Sequence, residues 1–497
     1  MDSIRFQNYR CLSDTGDVSL KPLTFLLGAN NSGKSSFLEF FPLLKQSVGV
    51  RRNGVFLWYA NNVDFKDFWN TVQTNEHTIK ISWRYDDFLA SSSREIGRFK
   101  KLFKEKLTLA ERIQLKLSMT ISEGKVNSGK LDVLKIEFFD NEIVLDIDDN
   151  GIAKITINGR SFLENKNELR LIDSTFLLPR LIPYFESDSN WYSSPFSDFF
   201  DQIEMLAGDE MKDIKELVHY GSVIYLKKDE YLNMFKSILK KEDVDYEKLR
   251  DTYLLANLDD IIETINYRIS AEAYQLSYVK PLRVTPERYY RYQNYSVDDI
   301  DSDGKNLAMF LANLSVSEMR SFQNWTDKKF GFKIYALKHE GHVELAIGKK
   351  KQEARNLVDV GFGFTQLLPI ITIIWNSLRN KTRGFFYPRV GNTTKTIAIE
   401  QPELHLHPRF QSDFAEVMAK VVQNPSPGND GVRFIIETHS EAIINKIGAM
   451  IQAGELDSDK VNVVIFNGEK EGLDSYVVES EFNEEGYLSK WPLGFFL

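Results

Sequence analysis

Apolar and polar positions follow two different rhythms along this chain, and the changes of rhythm outline its architecture. Residues 3–12, SIRFQNYRCL, and 18–28, VSLKPLTFLLG, read as short strands separated by the polar turn SDTGD. The second runs into GANNSGKSSFLEFFPLLKQS, where Phe37, Phe40, Phe41 and Leu44 recur at helical spacing, so a glycine-rich loop sits between a strand and a helix. HTIKISWRY at 77–85 is strand-like, and residues 93–117 read as a basic amphipathic helix or helix pair. Residues 132–159 return to alternation, with DNG as a hairpin turn. From about 165 to 275 the spacing is mainly helical, without the sustained heptads of a long coiled-coil arm.

From residue 276 the strands return. LSYVKPLRVTPERYY is a strand followed by a Pro-rich basic turn, KNLAMFLANL is a helix, and FKIYALKHEGHVELAIGKK is a hairpin. VDVGFGFTQLLPIITIIW is a glycine turn feeding a buried helix, and TKTIAIE, GVRFIIE, KVNVVIFN and DSYVVESEF are further strands. No internal repeat and no low-complexity tract interrupts this layout.

The chain has 497 residues, enough for several domain-sized units, and its 42% hydrophobic and 27% charged content is that of a soluble globular protein. A net charge of -9 argues against wholesale coating by nucleic acid and leaves room for a local basic patch. The single cysteine, Cys11, excludes a disulfide framework or a cysteine zinc site and fits a reducing cytoplasm. MDSIRFQNYR has no signal-peptide core, and LLPIITIIWNSL at 367–378 is too short to span a bilayer, so no membrane role is expected.

GANNSGKS is Gly28-x4-Gly33-Lys34-Ser35, a complete phosphate-binding loop. Glycines let the backbone turn its N–H groups inward, and the helix start adds its dipole. Asn30, Asn31 and Ser36 complete the expected nucleotide contacts. Lys34 is placed to reach the β- and γ-phosphates and Ser35 to ligate Mg²⁺. Glu400 ends the strand TIAI, a second Mg²⁺ position. In FIIETHSE, His439 lies just past another apolar strand, where an imidazole can sense the γ-phosphate, while Thr438 or Ser440 can cap the next helix.

A glycine loop, a GFGFTQ turn before a helix, a strand ending in an acid, and THS, in that order, resemble an ABC-type ATPase head of the RecF/SMC/OLD-like branch. FQNYRCLSDTGDVSLKPLTFLLGANNSGKSS, VDVGFGFTQLLPI, IAIEQPELHLHPRFQ and FIIETHSE carry the resemblance, which covers 1–90 and 276–497. The arm-less form is similar to the stand-alone ATPases of bacterial anti-phage systems such as Septu and PARIS. The expected fold is therefore an α/β, ABC-type P-loop head with mixed sheets, interrupted by a mainly helical insertion. Residues 1–90 form the N-terminal part of the head. Residues 91–275 form the insertion, with a β hairpin near 132–159 and helices over 165–275. Residues 276–497 form the C-terminal part.

The resemblance implies that two subunits sandwich ATP. Gly28, Gly33, Lys34 and Ser35 hold one side, and Gly363, Thr365 and Gln366 meet the γ-phosphate from the partner. Glu400 serves Mg²⁺, His439 is the switch histidine, and Arg10 in NYR touches the nucleotide. Gln401 is a departure, for it stands where the family has a catalytic glutamate, and an amide is a poor general base. Three readings stay open. Slow hydrolysis would make ATP a switch. Glu403, two residues on and on the same side of an extended segment, would act as base. Or Gln401 is an engineered Glu→Gln trap.

His405 and His407 form an H-x-H pair, read as a metal site or, preferably, a subunit contact. The basic residues of 94–116 read as a solvated face or a contact for phosphate backbone. Arg283, Arg288 and Arg291 beside tyrosines suit nucleic acid, a nucleotide edge or plain packing, and the tail WPLGFF packs on the head or anchors a partner. The expected function is an ATP-binding ATPase that oligomerises through its heads and controls a separate effector, a nuclease, in anti-phage defence, with DNA or a phage protein as trigger. The alternatives are a RecF-like repair ATPase that binds DNA directly and a non-hydrolysing scaffold or sensor.

Overall fold

The computed structural model describes residues 1–89, 112–149, 151–162, 169–172, 175–183, 225–239, 242–292, 297, 299–379, 394–425, 431–467 and 476–491. Two large sheets organise it. The first has six strands, in the order Leu276–Val279, Lys395–Glu400, Val432–Glu437, Leu23–Gly28, Val461–Asn467 and Tyr476–Ser480. All neighbours run parallel except the last pair. Near-continuous apolar runs such as LTFLLG and VNVVIF belong in a parallel sheet covered on both faces. Alternation then divides each strand between two cores. Leu23, Phe25, Leu27, Ile397, Ile399, Phe434 and Ile436 face one, and Leu26, Ala398, Ile435, Val464 and Phe466 face the other.

The first of those cores is covered by the helices Phe362–Leu378, Pro408–Gln423 and Glu441–Gln452. Leu367, Leu368, Ile370, Ile371, Ile373, Ile374 and Trp375 of LLPIITIIWNSL are buried there, and among the described residues no helix is long and apolar enough to cross a membrane. The second core lies between the parallel sheet and a nine-stranded antiparallel sheet. The helices Lys34–Leu38 and Phe40–Ser47, which follow the glycine loop, pack inside it. Phe37 spans the layer, edge-on to Phe6 of the antiparallel sheet at 5.4 Å and to Phe466 of the parallel sheet at 5.6 Å. The loop is thus held from behind by a rigid aromatic core.

The antiparallel sheet corrects two sequence-based expectations. Residues 112–117 were expected in a basic helix but belong to the strand Arg112–Glu123, whose Ile113, Leu115, Leu117, Met119 and Ile121 are buried at every second position. That period-two run outcompetes the helical spacing of the lysines before it, and the rest of the expected helix lies outside the described residues. The hairpin near 132–159 is present, as Gly129–Phe138, Asn141–Asp148 and Gly151–Ile157, but it is not a separate insertion. Its strands continue the sheet begun by Ser3–Tyr9 and Thr78–Leu89, so the expected boundary at 90 cuts through one sheet.

Over 165–275 the described elements are the paired strands Leu169–Ile172 and Arg180–Pro183 and the helices Lys228–Leu239, Tyr246–Ala256 and Leu258–Tyr274. The helices share the same core through Tyr231, Phe235, Tyr253 and Ile261. Of the tail WPLGFF only Trp491 is described, and its side chain is exposed.

Candidate functional site

The C-terminal ends of three neighbouring parallel strands bring the chemistry together: Leu23–Gly28, Val432–Glu437 and Lys395–Glu400. This is the edge of an open α/β sheet where ligands bind. The glycine loop leaves the first strand in a backbone that only glycine tolerates. Gly28 has φ +145°, and a Cβ there would lie 2.2 Å from the Phe466 carbonyl oxygen. Gly33, at φ +105°, precedes the helix whose first N–H groups have no intrahelical partner and face the loop.

Lys34 is buried, and its Nζ donates to the carbonyl oxygens of Gly28 at 3.0 Å and Ala29 at 2.7 Å. Burial lowers its pKa, opposed by the nearby Glu437 and Glu403 carboxylates. Asn30 and Asn31 are exposed on the rim of the loop. Ser36 is buried and turned away, its hydroxyl 3.6 Å from the Cys11 sulfur.

Ser35 donates its hydroxyl to Oε1 of Glu437 at 3.0 Å. Glu437 ends the strand beside the loop strand, is 3% exposed, and keeps Oε2 without a hydrogen-bond partner. Glu400 lies one strand farther out, in register with Glu437. Its carboxylate accepts from the Tyr278 hydroxyl at 2.5 Å, while Nη2 of the buried Arg283 donates to its carbonyl oxygen at 3.1 Å. Burial pushes the Glu400 carboxyl up to about 8, with the Tyr278 bond working against the shift and the charges of Glu39 and Glu437 adding to it. The same burial raises Glu437 and Glu403.

After Glu400 the chain does not stay extended. Gln401 takes φ +40°, donates its N–H to the Glu437 carbonyl oxygen at 2.8 Å, and starts a turn. No extended segment therefore carries Glu403 to the same side as Gln401. The Glu403 carboxylate instead accepts from the Thr438 hydroxyl at 2.8 Å and from the His439 N–H at 2.7 Å. It braces the acid loop to the THS segment. Burial lowers the His439 pKa, and the Lys34 charge adds to that, so the ring is neutral at pH 7 and above. Ser440 caps the next helix through the Ile443 N–H at 3.1 Å, so this segment both caps a helix and presents a histidine.

His405 sits at φ +62°, and His407 is the N-cap of Pro408–Gln423, accepting from the Arg409 N–H at 3.3 Å. Among the described residues no group of three or more His, Cys, Asp or Glu side chains could hold a metal ion. Mg²⁺ fits this site in another way, as a hard cation shared between a hydroxyl, a carboxylate and phosphate oxygens. Ser35 and the strand-end acids supply the protein's part.

Arg10 lies beyond the loop, its guanidinium 4.5 Å from the centre of the Phe65 ring and paired with Glu39. In the GFGFTQ helix, Thr365 and Gln366 are 5% and 1% exposed, and Gln366 donates to the Arg283 carbonyl oxygen at 3.4 Å. Their side chains thus face their own chain. A Cβ on Gly363 would lie 2.8 Å from the His405 carbonyl oxygen, so that glycine lets the helix start dock against the turn after the acid strand. Arg288 pairs with Asp359 at the surface, and Arg291 is exposed on a short strand.

Sequence reasoning missed the pairing of Ser35 with Glu437 and the two groups that hold Glu400, Tyr278 and Arg283. The signal was present: GVRFIIE ends in an acid just as TKTIAIE does.

A glycine loop feeding a helix, with the acid-bearing strand separated from the loop strand by the strand that leads to THS, defines an ABC-type P-loop ATPase head. The family model described as AAA ATPase domain matches residues 1–444, and the chain belongs to that family. It is accordingly a nucleotide-binding ATPase. No curated protein matches the sequence. Solved structures similar to it include the Smc head domain with an extended coiled coil bound to the C-terminal domain of ScpA from Pyrococcus furiosus, at 10% identity, over 96% of this chain and 95% of that one, with a TM-score of 0.33. The SMC head domain from Thermotoga maritima is 8% identical over 96% of this chain and 97% of that one, with a TM-score of 0.34.

Proposed function

We propose that the chain binds Mg²⁺ and ATP at residues 28–35, hydrolyses ATP slowly, and uses the bound nucleotide to control how its heads associate. The observation that carries this is the Lys34 ammonium gathered by the loop carbonyls of Gly28 and Ala29, beside Ser35 and the strand-end acids. On nucleotide binding, Lys34 exchanges those carbonyls for phosphate oxygens and the loop N–H groups take up the remaining charge. Mg²⁺ neutralises phosphate charge there, held by Ser35 and by a carboxylate at the strand ends. A neutral His439 donates a hydrogen bond toward the γ-phosphate without adding repulsion to Lys34.

Slow hydrolysis follows from Gln401 and Glu403 together. Gln401, next to the strand-end acid, orients a water but accepts no proton at neutral pH. Glu403 is engaged by Thr438 and His439 and acts as a brace. The resemblance to stand-alone anti-phage ATPases supports the wider reading. Two or more copies pair through their heads in the bacterial cytoplasm, Gly363 and the start of its helix approach the partner's nucleotide, and ATP sets whether a separate nuclease is held or released. Such control is limited to the difference in ATP affinity between the two assemblies.

The test is ATP turnover and ATP-dependent sedimentation of the wild type, Lys34→Ala and Gln401→Glu. Lys34→Ala should lose nucleotide binding, and Gln401→Glu should raise turnover by about 10-fold or more, within the range a general base supplies. Wild-type binding that survives Lys34→Ala would overturn the site, and turnover unchanged in Gln401→Glu would overturn the switch.

A further inference from the structure

We infer that Glu437, the last residue of the strand before THS, is the carboxylate that ligates the nucleotide's divalent cation together with Ser35. This rests on the proposal that residues 28–35 bind ATP, and it assigns the cation to a different strand from the one the sequence suggests. Three observations carry it. The Ser35 hydroxyl, the loop's own cation ligand, is 3.0 Å from Glu437 Oε1. Glu437 is 97% buried by its 3% exposure, and its Oε2 has no hydrogen-bond partner. A buried carboxylate oxygen left unsatisfied is costly unless a cation or donor completes it. Glu400, the other candidate, is already engaged by the Tyr278 hydroxyl at 2.5 Å and lies one strand farther from the loop.

The strand order explains the division of labour. Val432–Glu437 pairs directly with Leu23–Gly28, whereas Lys395–Glu400 does not. Glu437 therefore stands beside the loop and Glu400 behind it. Glu400 then acts from the second rank, as a carboxyl group next to Glu437 whose position Tyr278 fixes. Groups of that kind orient a ligand and tune its strength without touching the cation.

The experiment is titration of a fluorescent ATP analogue into the full chain and into Glu437→Gln, Glu437→Asp and Glu400→Gln, in EDTA and in Mg²⁺, with Mn²⁺ binding followed by electron paramagnetic resonance. Glu437→Gln should bind nucleotide in EDTA at least as well as wild type, since a negative charge beside the phosphates is gone. The gain that Mg²⁺ gives wild type should shrink by about 10–100-fold, with a matching loss of Mn²⁺ affinity. Glu437→Asp, which keeps the charge on a shorter arm, should recover part of that gain, and Glu400→Gln should lose less of it than Glu437→Gln does. Retention of the full Mg²⁺ gain in Glu437→Gln, or its loss only in Glu400→Gln, overturns the assignment while leaving the ATP site intact. Failure of the wild type to bind nucleotide in either condition overturns the ATP site and this inference together. Retained EDTA binding in Glu437→Gln is itself the control for folding.

Discussion

Replacing Glu403 by glutamine and by alanine separates a structural brace from a general base. The carboxylate accepts two bonds from the THS segment, one from the Thr438 hydroxyl at 2.8 Å and one from the His439 N–H at 2.7 Å. Glutamine keeps an acceptor for the His439 N–H, and its amide N–H₂ can donate to the Thr438 hydroxyl in place of accepting from it, so the cost is about 1 kcal/mol. Alanine removes both partners at once. Thr438 is fully buried, and a buried donor left unpaired costs about 1–3 kcal/mol, more where the lost acceptor was charged. Glu403 is only half-buried, so water recovers part of this, and the expected loss for alanine is about 2–4 kcal/mol. The assay pairs thermal melting with steady-state ATP turnover. Glu403→Gln should melt within a few degrees of wild type and turn over within about threefold of it, whereas Glu403→Ala should be clearly destabilised. A fall of about 100-fold or more in turnover for Glu403→Gln, with melting unchanged, would refute the brace and make Glu403 the base.

Glu400 gives a pH test in the nucleotide-free, chelator-treated protein. Its folded pKa, raised by burial to about 8 from 4.5, favours the protonated form, so its stabilising contribution is present in full below about pH 4.5 and is lost as pH rises through about 8. Glu400→Gln should therefore be more stable than wild type at pH 8, by of order 3 kcal/mol, and the gap should close toward pH 5 in chemical denaturation. Gly28→Ala should cost about 3 kcal/mol or more and abolish ATP binding, because its Cβ would meet the Phe466 carbonyl oxygen at 2.2 Å. Gly16→Ala, at φ +63° with nothing within 4 Å of the added atom, should cost about 1 kcal/mol and leave nucleotide affinity unchanged.

Much of the site was legible because its recognition is local. The loop 28–35 needs only its glycines, its lysine and serine, and the strand and helix on either side, all contiguous in sequence. The cap at Ser440 is local in the same way. What was not legible depends on registers between distant segments. The helical reading of 93–117 failed at 112–117, where pairing with Thr78–Leu89 and Gly129–Phe138 rewards alternation more than helical spacing. The proposed alignment of Gln401 with Glu403 assumed an extended chain, and a single residue at φ +40° removes it.

Glu437 is the most instructive omission. TKTIAIE and GVRFIIE each end in an acid, and position in the sequence ranks the first above the second because its acid opens EQPE. Their ranking in space is set by strand order. The strand leading to THS is inserted between the loop strand and the acid strand, and in a parallel sheet the strand ends stand side by side about 4.8 Å apart. Ser35 therefore meets Glu437 first, and Glu400 is left to Tyr278 and Arg283. Any sequence with two strand-end acids and this strand order faces the same choice, and the acid nearer the loop is the one whose neutralisation by a cation most directly offsets the cost of burying it.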